Sequence, residues 1–254
     1  MKISIITAVL NRKDEIKQSL ESLINQTYKN IEHIIVDGKS TDGTLEILID
    51  YKNSVKDYEV IIVSKEDNGL YEALNRGLKL CTGDIIGVLH AGDLLANESV
   101  LETVIKKFRE SHDIDGVYGD VVFFNDNDTI VRETKLGEVS IEKIFKGWHP
   151  IHTALFLKKE VYDKLGFYRE DFDIASDYEY ILRIILKGKV RLVYLDEVLV
   201  RMKTGGKSGH TPKKLFRKLK EDWQIIREYD LPPCALITKR LYKIHEFVKP
   251  FIKI

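Results

Sequence analysis

Four aspartates in this chain stand where residue type and spacing allow chemistry. Three close short hydrophobic runs: Asp37 in HIIVD, Asp67 just after VIIVS, and Asp93 in DIIGVLHAGD. The fourth, Asp177, opens the helical pattern ASDYEYILRI. A hydrophobic run stopped by a lone carboxylate, as in VLHAGD, is a turn, a helix cap or a metal site, and what else reaches the same edge decides among them. Three acids brought to one edge repel one another unless something occupies them. Accepting hydrogen bonds from a base or ribose and holding a hard divalent cation through oxygen would occupy them. A nucleoside diphosphate with Mg2+ or Mn2+ meets both requirements.

The elements that must position these acids are legible as an alternation. ISIITAV reads as a strand, and Asp14 to Asn25 as a helix with Ile16, Leu20, Leu23 and Ile24 on one face. The cycle repeats with HIIVD and a helix from about Thr44, VIIVS and a helix from about Tyr71, then DIIGVLH and SVLETVIKKF. Four such units imply an α/β fold, a Rossmann-type, mostly parallel sheet covered by helices on both faces with right-handed crossovers. Beyond Asp115 the pattern becomes mixed: GVYGDVVFF, an NDND turn and TIVRETK predict a hairpin. A short helix near Ser140 to Phe145, a strand HTALFLKK, a helix from near Ser176 and a strand pair within VRLVYLDEVLVRMK follow, then a helical tail broken by LPP at 231–233. Open parallel sheets bind ligands at the carboxyl ends of their strands. Here those ends carry Thr7 to Arg12, Asp37 to Asp42, Glu66 to Asn68 and His90 to Asp93.

Composition narrows the class. The chain has 254 residues, 40 basic and 40 acidic, so nothing global favours nucleic acid. From Thr211 onward it carries 11 Lys or Arg against 5 Asp or Glu, which leaves the body acidic and the tail basic. Cys81 and Cys234 are far apart and outside any zinc or disulfide spacing, which fits a reducing cytoplasm. The N-terminus enters a strand rather than a signal-peptide pattern, and no apolar run reaches membrane-spanning length. The first turn, TAVLNRKDE, lacks the glycines of a dinucleotide fold, GKS at 206–208 lacks the first glycine of a phosphate-binding loop, and no G-x-S-x-G is present.

The stretch ISIITAVLNRKDEIKQSLESLINQTYKNIEHIIVDGKSTDGT resembles the opening of inverting family 2 glycosyltransferases of the GT-A fold. SKEDNGLYEALNRGLKLCTGDIIGVLHAGD continues that resemblance, and WHPIHTALFLKKEVYDKLGFYREDFDIASDYEYILRI resembles the acceptor-side segment. The resemblance spans about residues 3 to 209. It implies a GT-A domain over 1–209, with a nucleotide-binding half to about 115 and an acceptor-side half over 116–209, followed by a basic amphipathic helical tail over 210–254. VLHAGD then corresponds to a DxD-type metal site in which Gly92 replaces one acid and Asp93 is the ligand for Mn2+ or Mg2+, against an N-cap or turn role ahead of the next helix. By the same resemblance Asp37 binds the nucleoside, with Gly38 where a second Asp is usual, and Asp67 with Arg76 forms a second base-binding patch. Thr7 and Asn11 complete the nucleotide cradle. Asp42 and Thr44 read as loop and N-cap residues, Tyr71, Leu74 and Leu78 as core-facing, and His90 as a histidine packed behind the site or supporting its ligands rather than a ligand itself.

Inverting transfer is a direct displacement at the anomeric carbon and needs one base. Asp177 resembles the family's catalytic aspartate; the alternative is that Ser176 or Asp177 merely caps its helix. Glu179 cannot share its helix face. By the same resemblance His149 and His152 lie where the family often places acceptor-site residues, and Trp148 would stack on a sugar or be buried. RMKTGGKSGH resembles the glycine-containing segment that follows the last core strand in that family. By that resemblance the backbone of Gly205 and Gly206 with Lys207 and Ser208 would close over the diphosphate, and His210 would complete the metal site, the alternative being a solvated loop histidine. The tail either lies on an anionic membrane surface or packs on protein. Together these expectations describe a nucleotide-sugar donor, a UDP-sugar by resemblance, a glycan or lipid-linked acceptor, and a cytoplasmic enzyme, peripheral on the inner face of the plasma membrane in the case that the tail lies on lipid. The rival classes are a sugar nucleotidyltransferase, for which a Gly-rich N-terminal loop is missing, and a non-catalytic sugar-nucleotide or glycan-binding module.

Overall fold

The computed structural model describes residues 1–204 and 211–239. Its first half is β1 (Ile3–Val9), α1 (Lys13–Ile24), β2 (Ile31–Asp37), α2 (Thr44–Ser54), β3 (Glu59–Ser64), α3 (Leu70–Leu78), β4 (Ile85–Val88), β5 (Leu94–Leu95) and α4 (Val100–Glu110). Strands β3, β2, β1 and β4 lie side by side in that order and parallel. Every residue of β1 and β2 is buried, because helices cover both faces, and so these runs lack the polar alternation of a one-sided sheet. Along β1, Ile3 and Ile5 pack with α1 and α4 while Ile6 and Ala8 pack with α3, the period of two expected of a strand.

The second half extends the same sheet. It comprises β6 (Gly116–Phe124), β7 (Ile130–Thr134), α5 (Ile141–Phe145), β8 (Leu155–Lys158), α6 (Lys159–Leu165), α7 (Ser176–Leu182), β9 (Leu192–Lys203) and α8 (Pro212–Glu228). From β4 the order runs β8, β6, β9, β5, with β7 on β6 through the NDND turn. β8 is antiparallel to both β4 and β6, whereas β6 and β9 are parallel.

Two expectations need correction here. VRLVYLDEVLVRMK is not a strand pair but one strand, β9, in which the exposed Asp196 and Glu197 form a bulge opposite Gly119 and Asp120. Two consecutive acids look like a turn in sequence, but pairing with β6 resumes on both sides of them. HTALFLKK likewise yields only the short β8: residues 152–154 form a 3-10 turn and Lys159 already begins α6, which the apolar run had concealed.

Helix α8 buries one stripe, Glu221, Asp222, Ile225 and Ile226. Ile225, Ile226, Tyr229, Leu231 and Ala235 join the core that holds Tyr178 and Tyr180. Its opposite face leaves Phe216 72% and Trp223 41% exposed. None of the described helices is long and apolar enough to cross a membrane.

Candidate active site

A cleft of about 610 Å³ opens at the carboxyl ends of β1 and β4, bordered by Leu10, Arg12, Asp67, His90, Asp93 and Lys203 among others. Asp93 reaches it through a tight turn closed by its own N–H donating to His90 O at 3.0 Å. Such a turn needs a positive φ at its third residue, and Gly92 supplies 99°. Ser19 of α1 pins the turn, its hydroxyl accepting from Gly92 N at 2.8 Å. The carboxyl of Asp93 is buried, and its Oδ2 has no hydrogen-bond partner. Burial pushes it up to about 7, against the attraction of His152 and the N–H of Lys203.

Asp93 does not cap the following helix, whose cap position is Ser99. An orphaned buried carboxylate oxygen is an open ligand position. Among the described residues no three His, Cys, Asp or Glu converge to hold a metal. Among the described residues, Asp93 is the carboxylate that could hold a divalent cation here, and Mg2+ is commonly bound through one or two carboxylates with substrate phosphates and water.

The other first-half candidates divide into those at the cleft and those behind it. Asp37 is fully buried at the end of β2 and accepts from Ser40 N at 3.2 Å and Ser64 Oγ at 2.6 Å. At Gly38 a Cβ would stand 2.8 Å from Asp67 Oδ2, so a side chain at this place would require the Asp67 carboxylate to shift. Asp67 lines the cleft, accepts from Gly69 N at 3.0 Å, and is shifted upward mainly by burial. Arg76 does not point there. Its guanidinium donates to Lys65 O at 3.0 Å, Glu66 O at 3.1 Å and Glu72 Oε1 at 2.8 Å, bracing the segment that presents Asp67.

Thr7 departs from its expected place in the nucleotide cradle. Its hydroxyl lies inside the sheet, donating to Leu89 O at 2.7 Å and meeting His33 Nε2 at 2.9 Å, because the pleat turns position 7 to the same buried face as Ile3 and Ile5. Asn11, at φ 52°, works as a clip: its N–H donates to Ser40 Oγ and its Oδ1 accepts from Thr41 N at 2.8 Å. Asp42 accepts from Lys13 N and Thr44 N, joining the starts of α1 and α2. Thr44 itself is the first residue of α2, with Gly43 in the cap position.

Asp177 lies in the first turn of α7, its side chain 25% exposed. Its Oδ2 is 3.3 Å from His152 Nδ1, and its Oδ1 accepts from Tyr178 N at 2.8 Å and faces Tyr71 OH at 3.2 Å. His152 continues to His90, with the two Nε2 atoms 2.8 Å apart. Burial alone would raise Asp177, but hydrogen bonding and charge from His152, with His149 and Lys239 farther out, hold it well below the usual carboxylate range. His90 is kept neutral, pushed down to about 3 by burial and by His152. An ionised carboxylate thus stands one histidine pair away from the cleft wall. Glu179 faces elsewhere, pairing with Arg183 and accepting from Tyr229 OH at 2.6 Å.

The description of glycosyl transferase family 2 matches residues 4–166. The chain belongs to this family. A PGL/p-HBAD biosynthesis glycosyltransferase of Mycobacterium bovis is 29% identical over 219 residues, covering 85% of this chain and 82% of the relative. Among solved structures, S. aureus TarS residues 1–349 in complex with UDP-GlcNAc shares the fold at TM-score 0.70 and 20% identity, over 99% of this chain and 73% of that one. The chain spans 44% of the longer TarS chain. The mannosyltransferase PcManGT of Pyrobaculum calidifontis, in complex with GDP-Man and Mn2+, matches at TM-score 0.68 and 18% identity, over 99% and 76%.

This glycosyltransferase assembles site features that sequence reasoning did not single out. Tyr71 packs in the core as expected, yet its hydroxyl reaches the Asp177 carboxylate. His90 is packed as expected, yet it borders the cleft and links through His152 to Asp177. Leu10 and Leu70 stand half-exposed at the cleft and give it an apolar patch. A large apolar residue beside a turn at a strand's carboxyl end was the available signal for Leu10. Trp148 is buried edge-on to Tyr118 and therefore does not present a stacking face. His149 lies against Tyr178, with Nδ1 2.9 Å from Pro150 O. Gly205, Gly206, Lys207, Ser208 and His210 lie outside the described residues.

Proposed function

We propose that this family 2 glycosyltransferase is an inverting enzyme that moves a hexosyl or N-acetylhexosaminyl group from a UDP-sugar to a hydroxyl of a glycan or lipid-linked acceptor. The observation that carries the reading is the relation of two unlike carboxylates: Asp93, buried at the cleft with an unpartnered oxygen, and Asp177, ionised and linked to the cleft wall through His152 and His90. Asp177 takes the proton of the attacking hydroxyl. The bond from that oxygen to the anomeric carbon forms as the bond to the diphosphate oxygen breaks, inverting the centre. His152 and Tyr71 fix the direction of the carboxylate. Asp93 would hold a divalent cation, which when bound would neutralise charge on the leaving diphosphate.

Asp37, Asp67 and Leu10 form the surroundings of the nucleoside. Complexes with UDP-GlcNAc, and with GDP-Man and Mn2+, in proteins of the same fold support a nucleotide-sugar donor and a metal. The uridine assignment rests on the sequence resemblance. The outward face of α8, with Phe216 and Trp223 beside Lys213 and Lys220, supports contact with an anionic membrane surface, which would suit a lipid-linked acceptor.

The test is release of nucleoside diphosphate from a panel of UDP-, GDP- and dTDP-sugars with Mn2+, Mg2+ or EDTA. Wild type is compared with Asp93→Ala and Asp177→Asn. Metal-dependent release from a UDP-sugar is expected, lowered about 10²- to 10⁴-fold in Asp177→Asn while donor binding persists. Donor binding without turnover in the presence of varied acceptors would favour a binding module, and failure to bind any member of the panel would overturn the transferase reading.

A further inference from the structure

The segment that delivers Asp177 has no strand or helix of its own to satisfy its backbone. Three consecutive N–H groups, Asp173, Ile174 and Ala175, instead converge on the carboxylate of Glu221 in α8, at 3.0, 2.9 and 3.0 Å. Glu221 is buried beside Asp222, Ile225 and Ile226 on the stripe that α8 packs inward. A carboxylate in such a stripe is costly unless fully engaged. Here it is engaged by those N–H groups, with Arg217 Nε 3.7 Å away and Arg217 also pairing with Asp173. From the opposite side Tyr71 OH donates to Ile174 O at 2.9 Å, so the same peptide unit is gripped by α3 and α8 at once. Asn75 of α3 secures the start of the segment, bonding both N and O of Tyr168. Ala175 O then accepts from Glu179 N in the first turn of α7, which carries Asp177.

We infer that Glu221 is a positioning residue for the base, setting the 173–175 segment at the place that seats Asp177 against His152 and Tyr71. The inference rests on the reading of Asp177 as the base. Glu221 lies outside the residues that the family description matches, and 44 positions along the chain from the residue it positions. It touches neither the cleft nor the Asp177 side chain in the contacts above. It acts through three backbone bonds, and a displacement of about 1 Å at a reacting group is enough to lower turnover on the order of 10²-fold.

The experiment follows the imidazole 15N and 1H resonances of the full chain in wild type, Glu221→Ala, Glu221→Gln and Asp177→Asn. His152 reports the position of Asp177, and His33, buried between Thr7 and Tyr51, reports the integrity of the distant sheet. Turnover per folded molecule is read alongside as UDP released from UDP-N-acetylglucosamine. The expected result is that the His152 resonances move in Glu221→Ala while those of His33 do not. Turnover per folded molecule falls on the order of 10²-fold. Glu221→Gln, which keeps one acceptor oxygen for Ile174 and Ala175, falls between Glu221→Ala and wild type.

Unmoved His152 resonances in both Glu221 variants, with wild-type turnover and an inactive Asp177→Asn, would overturn the inference and leave the base assignment standing. Wild-type turnover in Asp177→Asn would overturn the base assignment instead. If Glu221→Ala does not fold, Glu221→Gln carries the comparison. Amide exchange of Asp173, Ile174 and Ala175 in wild type at the rate of an open loop would overturn the inference with no variant at all.

Discussion

Glu32 makes a sharp prediction about how the sheet is held beneath the cleft. Its carboxylate is fully buried on β2 and accepts from Ser4 Oγ at 2.5 Å, Thr82 N and Thr82 Oγ1 each at 2.6 Å, and Gly83 N at 3.2 Å, with Lys2 Nζ at 2.5 Å. Burial by itself would raise its pKa, but the bonds from Lys2, Ser4 and Thr82 prevail and hold it down to about 2 from 4.5. That difference corresponds to about 3 kcal/mol of stability in the ionised form. Because the folded value lies below the unfolded one, the contribution is fully present above the unfolded pKa and is lost as pH falls toward 2. By pH 3 about 2 kcal/mol of it is gone.

The assay is urea unfolding of wild type and Glu32→Gln from pH 7 to pH 3. The stability gap between them should shrink by about 2 kcal/mol across that range. His33 and His90, each neutral in the fold and pushed down to about 3 mainly by burial, also lose stability to acid between their unfolded value and that point. They do so equally in both proteins and cancel in the difference. A gap that stays constant with pH would refute the reasoning. Turnover per folded molecule should be unaffected, since Glu32 sits at the end of the sheet opposite the cleft, beside the turn that enters β4.

Three further outcomes follow from individual contacts. Thr7→Val should lower unfolding free energy by about 1–3 kcal/mol, because His33 and the Leu89 carbonyl lose a partner; a change in donor affinity measured by calorimetry would instead put Thr7 back in the nucleotide cradle. His152→Ala should reduce turnover about 10-fold or more with donor affinity unchanged, since Asp177 loses the group that directs it; unchanged steady-state kinetics would remove His152 from the mechanism. Leu74→Ala, at a fully buried position of α3 packed on the sheet, should cost about 2–5 kcal/mol in denaturant titration, and a smaller loss would mean that the α3 contact relaxes into the cavity.

The sequence alone determined the alternating first half, the hairpin after Asp115 and the edge at which Asp67 and Asp93 border the cleft. Those features follow from short-range rules: two-residue and 3.6-residue periods, turn residues between them, and the handedness that places the carboxyl ends of the four parallel first-half strands at one edge. It also marked Asp177 as the acid of the second half, through resemblance rather than through any period. The tertiary structure alone decided that Thr7 turns inward and that Arg76 is spent on the carbonyls of Lys65 and Glu66. It likewise decided that Asp196 and Glu197 bulge within one strand, because pairing with β6 outweighs the turn preference of two acids. The chain from His90 through His152 to Asp177, and the grip of Glu221 on residues 173–175, join positions 25 to 62 apart along the chain and 46 to 48 apart. No local period encodes such pairs; they exist only once helices and strands have packed and each buried polar group must find a partner.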